Sequence, residues 1–215
     1  MEITYLGHSS FRIKGKETTL VTDPYAKSIG LKFPSTEADI VTVSHQHDDH
    51  NQASLVSGVK KIVEGPGEYE IKGVSLIGLS SFHDDKKGEE RGSNTIYVIE
   101  MDGLRLAHLG DLGHPLSDEL VAELGDIDIL MIPVGGKFTI DSAQAVTVVQ
   151  AIEPSITIPM HYQVPGLDSK TFSELAQVEN FLKEVGIASE VLPKLSVKRE
   201  DISPEVQKIV VLERK

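Results

Sequence analysis

The ten residues Thr42-Val43-Ser44-His45-Gln46-His47-Asp48-Asp49-His50-Asn51 hold three of the chain's eight histidines and two of its aspartates. Imidazoles and carboxylates crowded into so short a segment are the donors of a metal site. On extended backbone, side chains two positions apart point to the same side, so His45 and His47 can grip one ion while Asp49 and His50 continue into the following turn. The bland alternative is a solvated loop in which Asp48 or Asp49 caps a helix starting near Asn51. Capping has no use for three imidazoles. Further donors must come from elsewhere, and candidates fall where strands end: His83 in Ser81-Phe82-His83-Asp84, Asp111 in Leu109-Gly110-Asp111-Leu112-Gly113, and His161 in Pro159-Met160-His161-Tyr162. Strand ends are where loops carry function.

Composition narrows the chemistry. The chain has no cysteine, which removes disulfides and thiolate ligands and leaves nitrogen and oxygen to hold any metal. Its 21 Lys and Arg against 33 Asp and Glu give a formal net charge of -12, which repels a phosphate backbone, so nucleic acid is not an expected partner. The N-terminus, Met1-Glu2-Ile3-Thr4-Tyr5, lacks a basic region followed by an apolar one, and no later apolar run reaches the length of a membrane span. A cytoplasmic protein with no membrane contact is expected. A hydrophobic content of 40% over 215 residues suffices for a core, and one domain over 1–215 is the expectation, with homo-oligomer formation left open.

The elements that must position these residues are legible in the periodicity. Ile3, Tyr5, Phe11, Ile13 and Thr19 to Thr22 read as a β-meander, and Asp39 to Ser44 as a strand that stops where the histidine cluster begins. Strands follow around Lys61-Ile62-Val63, Tyr69-Glu70-Ile71 and Val74 to Ile77, and Thr95 to Glu100 with Leu104 to His108 flank Asp102-Gly103, a hairpin signal. Ser117 caps a helix to Leu124, a strand runs from Ile127 to Val134, and Asp141 caps a second helix to about Ile152. Ser155 to Pro159 returns as a strand, and a last helix spans roughly Phe172 to Val185. Meanders mixed with strand-helix alternation imply an α/β layered fold of two sheets with helices outside.

The ordered set Asp23, His45-x-His47-x-Asp49-His50, His83, Asp111 and His161 resembles the metallo-β-lactamase superfamily of metallohydrolases. The phrases Tyr5-Leu6-Gly7-His8, Thr22-Asp23-Pro24, Gly110-Asp111-Leu112-Gly113 and Pro159-Met160-His161-Tyr162 are similar to the branch containing ascorbate-6-phosphate lactonases. The resemblance implies an αββα sandwich of two mixed sheets flanked by helices, with the site along one edge. It implies two divalent ions, zinc first with manganese, iron or nickel as alternatives: His45, His47 and His83 on one, Asp49, His50 and His161 on the other, and Asp111 bridging. Asp23 would orient a ligand or the cluster loop. Members that hydrolyse antibiotics place a cysteine in the second site, which this chain lacks, so β-lactams are not the expected substrate. The reading is a dinuclear hydrolase that activates water against a small anionic ester, lactone or phosphoester, with Asp49 accepting a proton and Asp111 holding both ions. The alternatives are a nuclease of the same fold, against which the acidic charge argues, and a metal-dependent sensor without turnover.

The remaining histidines have weaker claims. His108 shares a strand face with Leu104 and Leu106 and reads as a hydrogen-bonded core or supporting residue. His8 lines the pocket or serves as an alternative ligand, with a plain structural role weighing equally. His114, Lys137 and Tyr162 are candidates for substrate contact, Lys137 toward an anion and Tyr162 as a donor to a developing oxyanion.

Overall fold

The computed structural model describes residues 1–203 and 205–215. Its strands are β1 Glu2–Gly7, β2 Ser10–Lys14, β3 Thr19–Thr22, β4 Thr36–Glu37, β5 Ile40–Val43, β6 Val56–Ser57, β7 Lys61–Glu64, β8 Gly67–Ile71, β9 Val74–Phe82, β10 Ser93–Met101, β11 Leu104–His108, β12 Ile129–Pro133, β13 Ile156–Met160, β14 Ser189–Leu192, β15 Leu195–Ser196 and β16 Lys208–Leu212. The α-helices are α1 Asp118–Leu124, α2 Ser142–Ile152, α3 Ser169–Phe172 and α4 Val178–Val185. One sheet runs β15-β1-β2-β3-β5-β7, a second runs β14-β16-β13-β12-β11-β10-β9-β8, and β4 pairs with β6. Both larger sheets are mixed: β1 to β3 are antiparallel and β3-β5-β7 parallel, while β8 to β11 are antiparallel and β11-β12-β13-β16-β14 parallel.

Alternation along the central strands explains the layers, because successive side chains face opposite sides of a sheet. On β10, Tyr97, Ile99 and Met101 join the core between the sheets, whereas Ile96 and Val98 face the helices. β12 divides in the same way, Ile129 and Met131 inward and Leu130 and Ile132 toward α2 and α4, where Val148, Val149 and Phe181 close the layer. The outer face of the first sheet, Leu6, Val21, Val41 and Val43, is covered by Ala38, Ala53 and Val56 from a largely irregular segment with short 3-10 turns. Among the described residues no helix is long and apolar enough to cross a membrane.

The local signals act as their chemistry requires. Asp102 and Gly103, with φ of 56° and 78°, make the tight turn that pairs Met101 with Leu104. Ser117 accepts from the Leu120 N–H, and Asp141 forms a reciprocal capping box with Gln144. One expectation needs correction. Of the helix from Phe172 to Val185 only α4 forms, with the separate short α3 ending at Phe172, because the Ala176 N–H goes to the Gly135 carbonyl and its own carbonyl accepts from Gln163, at 2.8 and 2.9 Å. Those tertiary bonds replace helical ones and tie the break to the loops around the site. Beyond Val185, where the sequence reading assigns nothing, the chain adds β14, β15 and β16, with β16 inserted between β13 and β14.

Replacing the fully buried Leu106, in β11 between the sheets, by alanine is expected to destabilise the protein by about 2–5 kcal/mol through lost burial plus a cavity. Urea unfolding checks it, and a loss under about 0.5 kcal/mol, the scale of surface substitutions, would contradict this account of the core.

Candidate metal centre

Strand ends from both sheets meet at one edge. β1 delivers His8, β3 delivers Asp23, β5 runs into the 44–51 loop, β9 is followed directly by His83, β11 leads through Gly110 to Asp111, and β13 is followed directly by His161. Three of these residues, His8, Asp23 and His161, hold φ of 57°, 38° and 52°, the left-handed region that non-glycine residues avoid. The turn made there at the end of a strand returns each side chain to the cluster, which is the kind of place where backbone strain is retained. Glycines supply the closest approaches. A Cβ on Gly113 would stand 2.2 Å from the His83 carbonyl carbon, and one on Gly135 would stand 2.1 Å from the His161 carbonyl oxygen.

Asp111 lies at the centre. Its Oδ2 is 3.2 Å from His50 Nε2, 3.2 Å from His83 Nε2, 3.3 Å from His161 Nε2 and 3.9 Å from His45 Nε2. Donor atoms within 4.8 Å of one another fall into the groups His45, His47 and His83; His8, Asp49, His50 and His161; and His45, His50 and Asp111. The first two groups are the two halves of the cluster, and Asp111 touches both. The shell around them is ordered. Asp111 N–H donates to Asn94 Oδ1 at 3.0 Å, and the Asn94 amide donates to Ser81 Oγ and to the Leu109 carbonyl. His108 donates from Nε2 to the Ser9 carbonyl at 2.8 Å and accepts the Gly110 N–H, so it supports the turn that carries Asp111.

Asp23 organises the histidine loop. Its Oδ1 accepts the Ser44 N–H at 2.8 Å, and its Oδ2 accepts both the Ser44 hydroxyl at 2.6 Å and His50 Nδ1–H at 2.9 Å. With its proton given to Asp23, Ser44 Oγ is an acceptor for His45 Nδ1–H at 3.0 Å. One buried carboxylate thereby sets the tautomer of a histidine in each group and turns its Nε2 into the cluster, His50 Nε2 at 3.2 Å from Asp111 and His45 Nε2 at 3.1 Å from His47 Nδ1. Asp49 Oδ2 takes a bond from His8 Nε2 at 3.1 Å, which draws His8 into the second group. No α-helix begins near Asn51; a 3-10 turn at Ala53–Leu55 follows instead.

The electrostatics favour a cation. Burial pushes the His45 imidazole down to about 3 and that of His8 down to about 4, so both are neutral electron-pair donors. Burial would raise Asp111, but His161 and His50 beside it outweigh that and hold the carboxyl well below its ordinary range. Asp49 is lowered likewise, burial being overcome first by His50 and then by His8. Burial acts to lower His50, and the Asp111 and Asp49 carboxylates reverse it. Both Asp111 oxygens, His50 Nε2 and His161 Nε2 are buried without a hydrogen bond of acceptable geometry. Polar atoms that converge so closely without bonding are costly unless a further charge satisfies them. The ionised carboxylates and the neutral imidazoles of His8 and His45 are the ligand forms that divalent metals require, and an ion bound there would displace the proton that Asp111 draws onto His50 and His83, so the residues fit such ions.

Three other candidates are placed differently. His114 accepts the Phe82 N–H and donates to the Pro115 carbonyl, so both ring nitrogens are engaged in supporting the end of β9. Lys137 pairs with Glu174 at 2.8 Å. Tyr162 is buried against Tyr5, with ring centroids 6.4 Å apart, in the layer between the second sheet and the helices. Ser44, Asn94 and Asp84 were not legible as supporting residues; a lone serine, asparagine or aspartate carries no spacing that marks it.

The fold and the His/Asp cluster define a metal-binding protein of metallo-β-lactamase architecture. Residues 2–161 match the family described as the β-lactamase superfamily domain. A Thermotoga maritima protein whose crystal structure is described as that of a Zn-dependent hydrolase of the metallo-β-lactamase superfamily is 35% identical, with a TM-score of 0.82 over 100% of this chain and 99% of that one. A UPF0173 metal-dependent hydrolase of Nanoarchaeum equitans is 30% identical over 75% of this chain and 84% of its own length. One from Thermococcus onnurineus is 29% identical over 89% and 95%. The chain belongs to the metallo-β-lactamase superfamily and, within it, to the UPF0173 family, whose members are named metal-dependent hydrolases.

Ser44→Ala removes the link between Asp23 and His45, and a lost supporting bond of this kind costs about 10- to 100-fold in metal affinity. Competition with a chelator, on protein shown by circular dichroism to be folded, measures it. Unchanged affinity would show that Ser44 does not orient His45. Gly113→Ala should weaken metal binding by displacing the His83 backbone.

Proposed function

We propose that the protein is a dinuclear metal-dependent hydrolase acting on a small anionic ester, lactone or phosphoester. The observation that carries this reading is the convergence of three imidazole Nε2 atoms on Asp111 Oδ2 within 3.2 to 3.3 Å without hydrogen bonds. His45, His47 and His83 would hold one ion, Asp49, His50 and His161 the other, and Asp111 would serve both. Divalent ions held there supply Lewis acidity, polarising the scissile carbonyl or phosphoryl group and making water acidic enough to react near neutral pH. Zinc leads among the candidates, supported by the naming of the Thermotoga relative and by the suitability of imidazole, with manganese, iron and nickel as alternatives.

The chain's own groups divide the work. Asp111, 1% exposed, is enclosed and acts by holding charge. Asp49 is 21% exposed, the carboxylate of the cluster that reaches solvent, and it accepts the proton released from the attacking water. His8, donating to Asp49 Oδ2, fixes that carboxylate and leaves its other oxygen for the transfer. The small-substrate reading draws support from the -12 charge, which disfavours RNA, and the likeness to the lactonase-like branch supports a lactone or ester among the candidates. A cytoplasmic enzyme working on a soluble metabolite is consistent with it.

Elemental analysis of the loaded protein should give about two divalent ions per chain, and Asp111→Ala should lose at least one together with activity. A stoichiometry near zero with every metal tried would sink the assignment. A panel of phosphorylated lactones, aryl esters, phosphodiesters, RNA oligomers and β-lactams, with the Asp111→Ala protein as blank, ranks the substrates. Turnover of RNA or β-lactams above every small anionic ester would overturn the substrate class.

A further inference from the structure

Beside the His45 and His47 side of the cluster lies a groove of about 680 Å³ whose lining runs on to Ser93 and Arg91. Arg91 is the groove's one arginine or lysine, and Glu64, exposed at the end of β7, is its one carboxylate. The loop carrying Arg91 is tied from within. The buried Asp84 carboxylate accepts the backbone N–H groups of Lys86, Gly88, Glu90 and Arg91 at 2.9, 2.8, 3.0 and 2.7 Å. Because Asp84 directly follows His83, the position of Arg91 is referenced to the cluster itself.

From that loop the guanidinium reaches across to the loop after β12. Its carbon stands 5.8 Å from the centroid of the Phe138 ring, and Nη2 lies 3.5 Å from the Lys137 carbonyl. Phe138 meets Phe172 edge-on at 6.0 Å, Phe172 meets His8 edge-on at 5.3 Å, and the His8 ring lies 4.1 Å from that of His161. The guanidinium thus ends an aromatic row that starts at the second group of donors, and Arg91 is at the same time a lining residue of the groove that starts at the first. Its charge is loosely engaged: the Glu90 carboxylate is 3.9 Å away, whereas Lys137 nearby is held at 2.8 Å by Glu174. A guanidinium braced on a ring, with its fork uncommitted to a carboxylate at hydrogen-bonding distance, is a receptor for carboxylate or phosphate.

We propose that Arg91 is the specificity residue of the site, binding a carboxylate or phosphate on the non-reacting end of the substrate while the bond to be cleaved lies against the His/Asp cluster. The assignment deepens the hydrolase reading and rests on it. Binding energy at the remote anion orients the reacting group, and in a chain of net charge -12 it supplies the local cation that draws an anion to the groove.

The test uses the zinc-loaded 215-residue chain and two inert probes, phenylphosphonate and 4-carboxyphenylphosphonate, titrated by calorimetry. The carboxylated probe is expected to bind about 10- to 100-fold more tightly, the value of a charge-assisted hydrogen-bonded pair. Arg91→Ala should reduce the ratio to near one with its metal content unchanged, and Arg91→Lys should keep part of it, since an ammonium lacks the fork. Equal affinities in the unmodified protein, no binding of either probe, or a ratio that survives in Arg91→Ala would overturn the proposal. Failure of the hydrolase reading looks different: no turnover of any ester in the panel, with the probe ratio intact.

Discussion

Everything at the functional edge depends on negative charge enclosed among imidazoles. Asp23 and Asp111 are almost fully buried, Asp49 is partly exposed, and His8, His45, His50, His83 and His161 around them are buried. Buried ionised carboxylates are tolerated only when paired, hydrogen-bonded or bound to a metal. Asp23 is satisfied by protein donors, receiving the Ser44 N–H, the Ser44 hydroxyl and His50. Asp111 has no such set for its side-chain oxygens. That asymmetry separates a carboxylate that organises the site from one whose electron pairs are reserved for a cation.

The fold meets the demand by ending strands from two sheets at one edge. Sheet registers and the core between the layers fix where those strands end to within a residue, and the turns that follow do the aiming. Left-handed backbone at His8, Asp23 and His161, with glycines 113 and 135 packed on the backbone of His83 and His161, marks how little freedom remains there. Such strain is stored where the surrounding structure over-determines it. The break between α3 and α4 belongs to the same design, because the freed backbone bonds to Gly135 and Gln163 beside the site.

Around this centre the acidic protein gathers a few cations and rings. Asp84 fastens the loop of Arg91, Arg91 lies over Phe138, and Phe138 leads through Phe172 to His8. A mostly negative surface keeps polyanions away by long-range repulsion, while a local cation governs what approaches within a Debye length of about 8 Å.

The sequence by itself determined the layered architecture and the chemistry. Period-two alternation in strands such as Thr95 to Glu100, the Asp102-Gly103 turn, and the caps at Ser117 and Asp141 are local, and local rules decide them. The cluster from His45 to His50 is legible for the same reason: donors close in sequence share one loop. Asp23, His83, Asp111 and His161 were reached through strand-end position and resemblance, since nothing local says that residues up to 138 apart will meet. Only the tertiary structure decided that His8 joins Asp49, that His108 braces the Gly110 turn, that Ser44 links Asp23 to His45, and that His114, Lys137 and Tyr162 are taken up by Phe82, Glu174 and Tyr5. The helix break near Ala176 and the insertion of β16 were likewise hidden, because both are set by hydrogen bonds to distant backbone, whose N–H and C=O groups look the same at every position in a sequence.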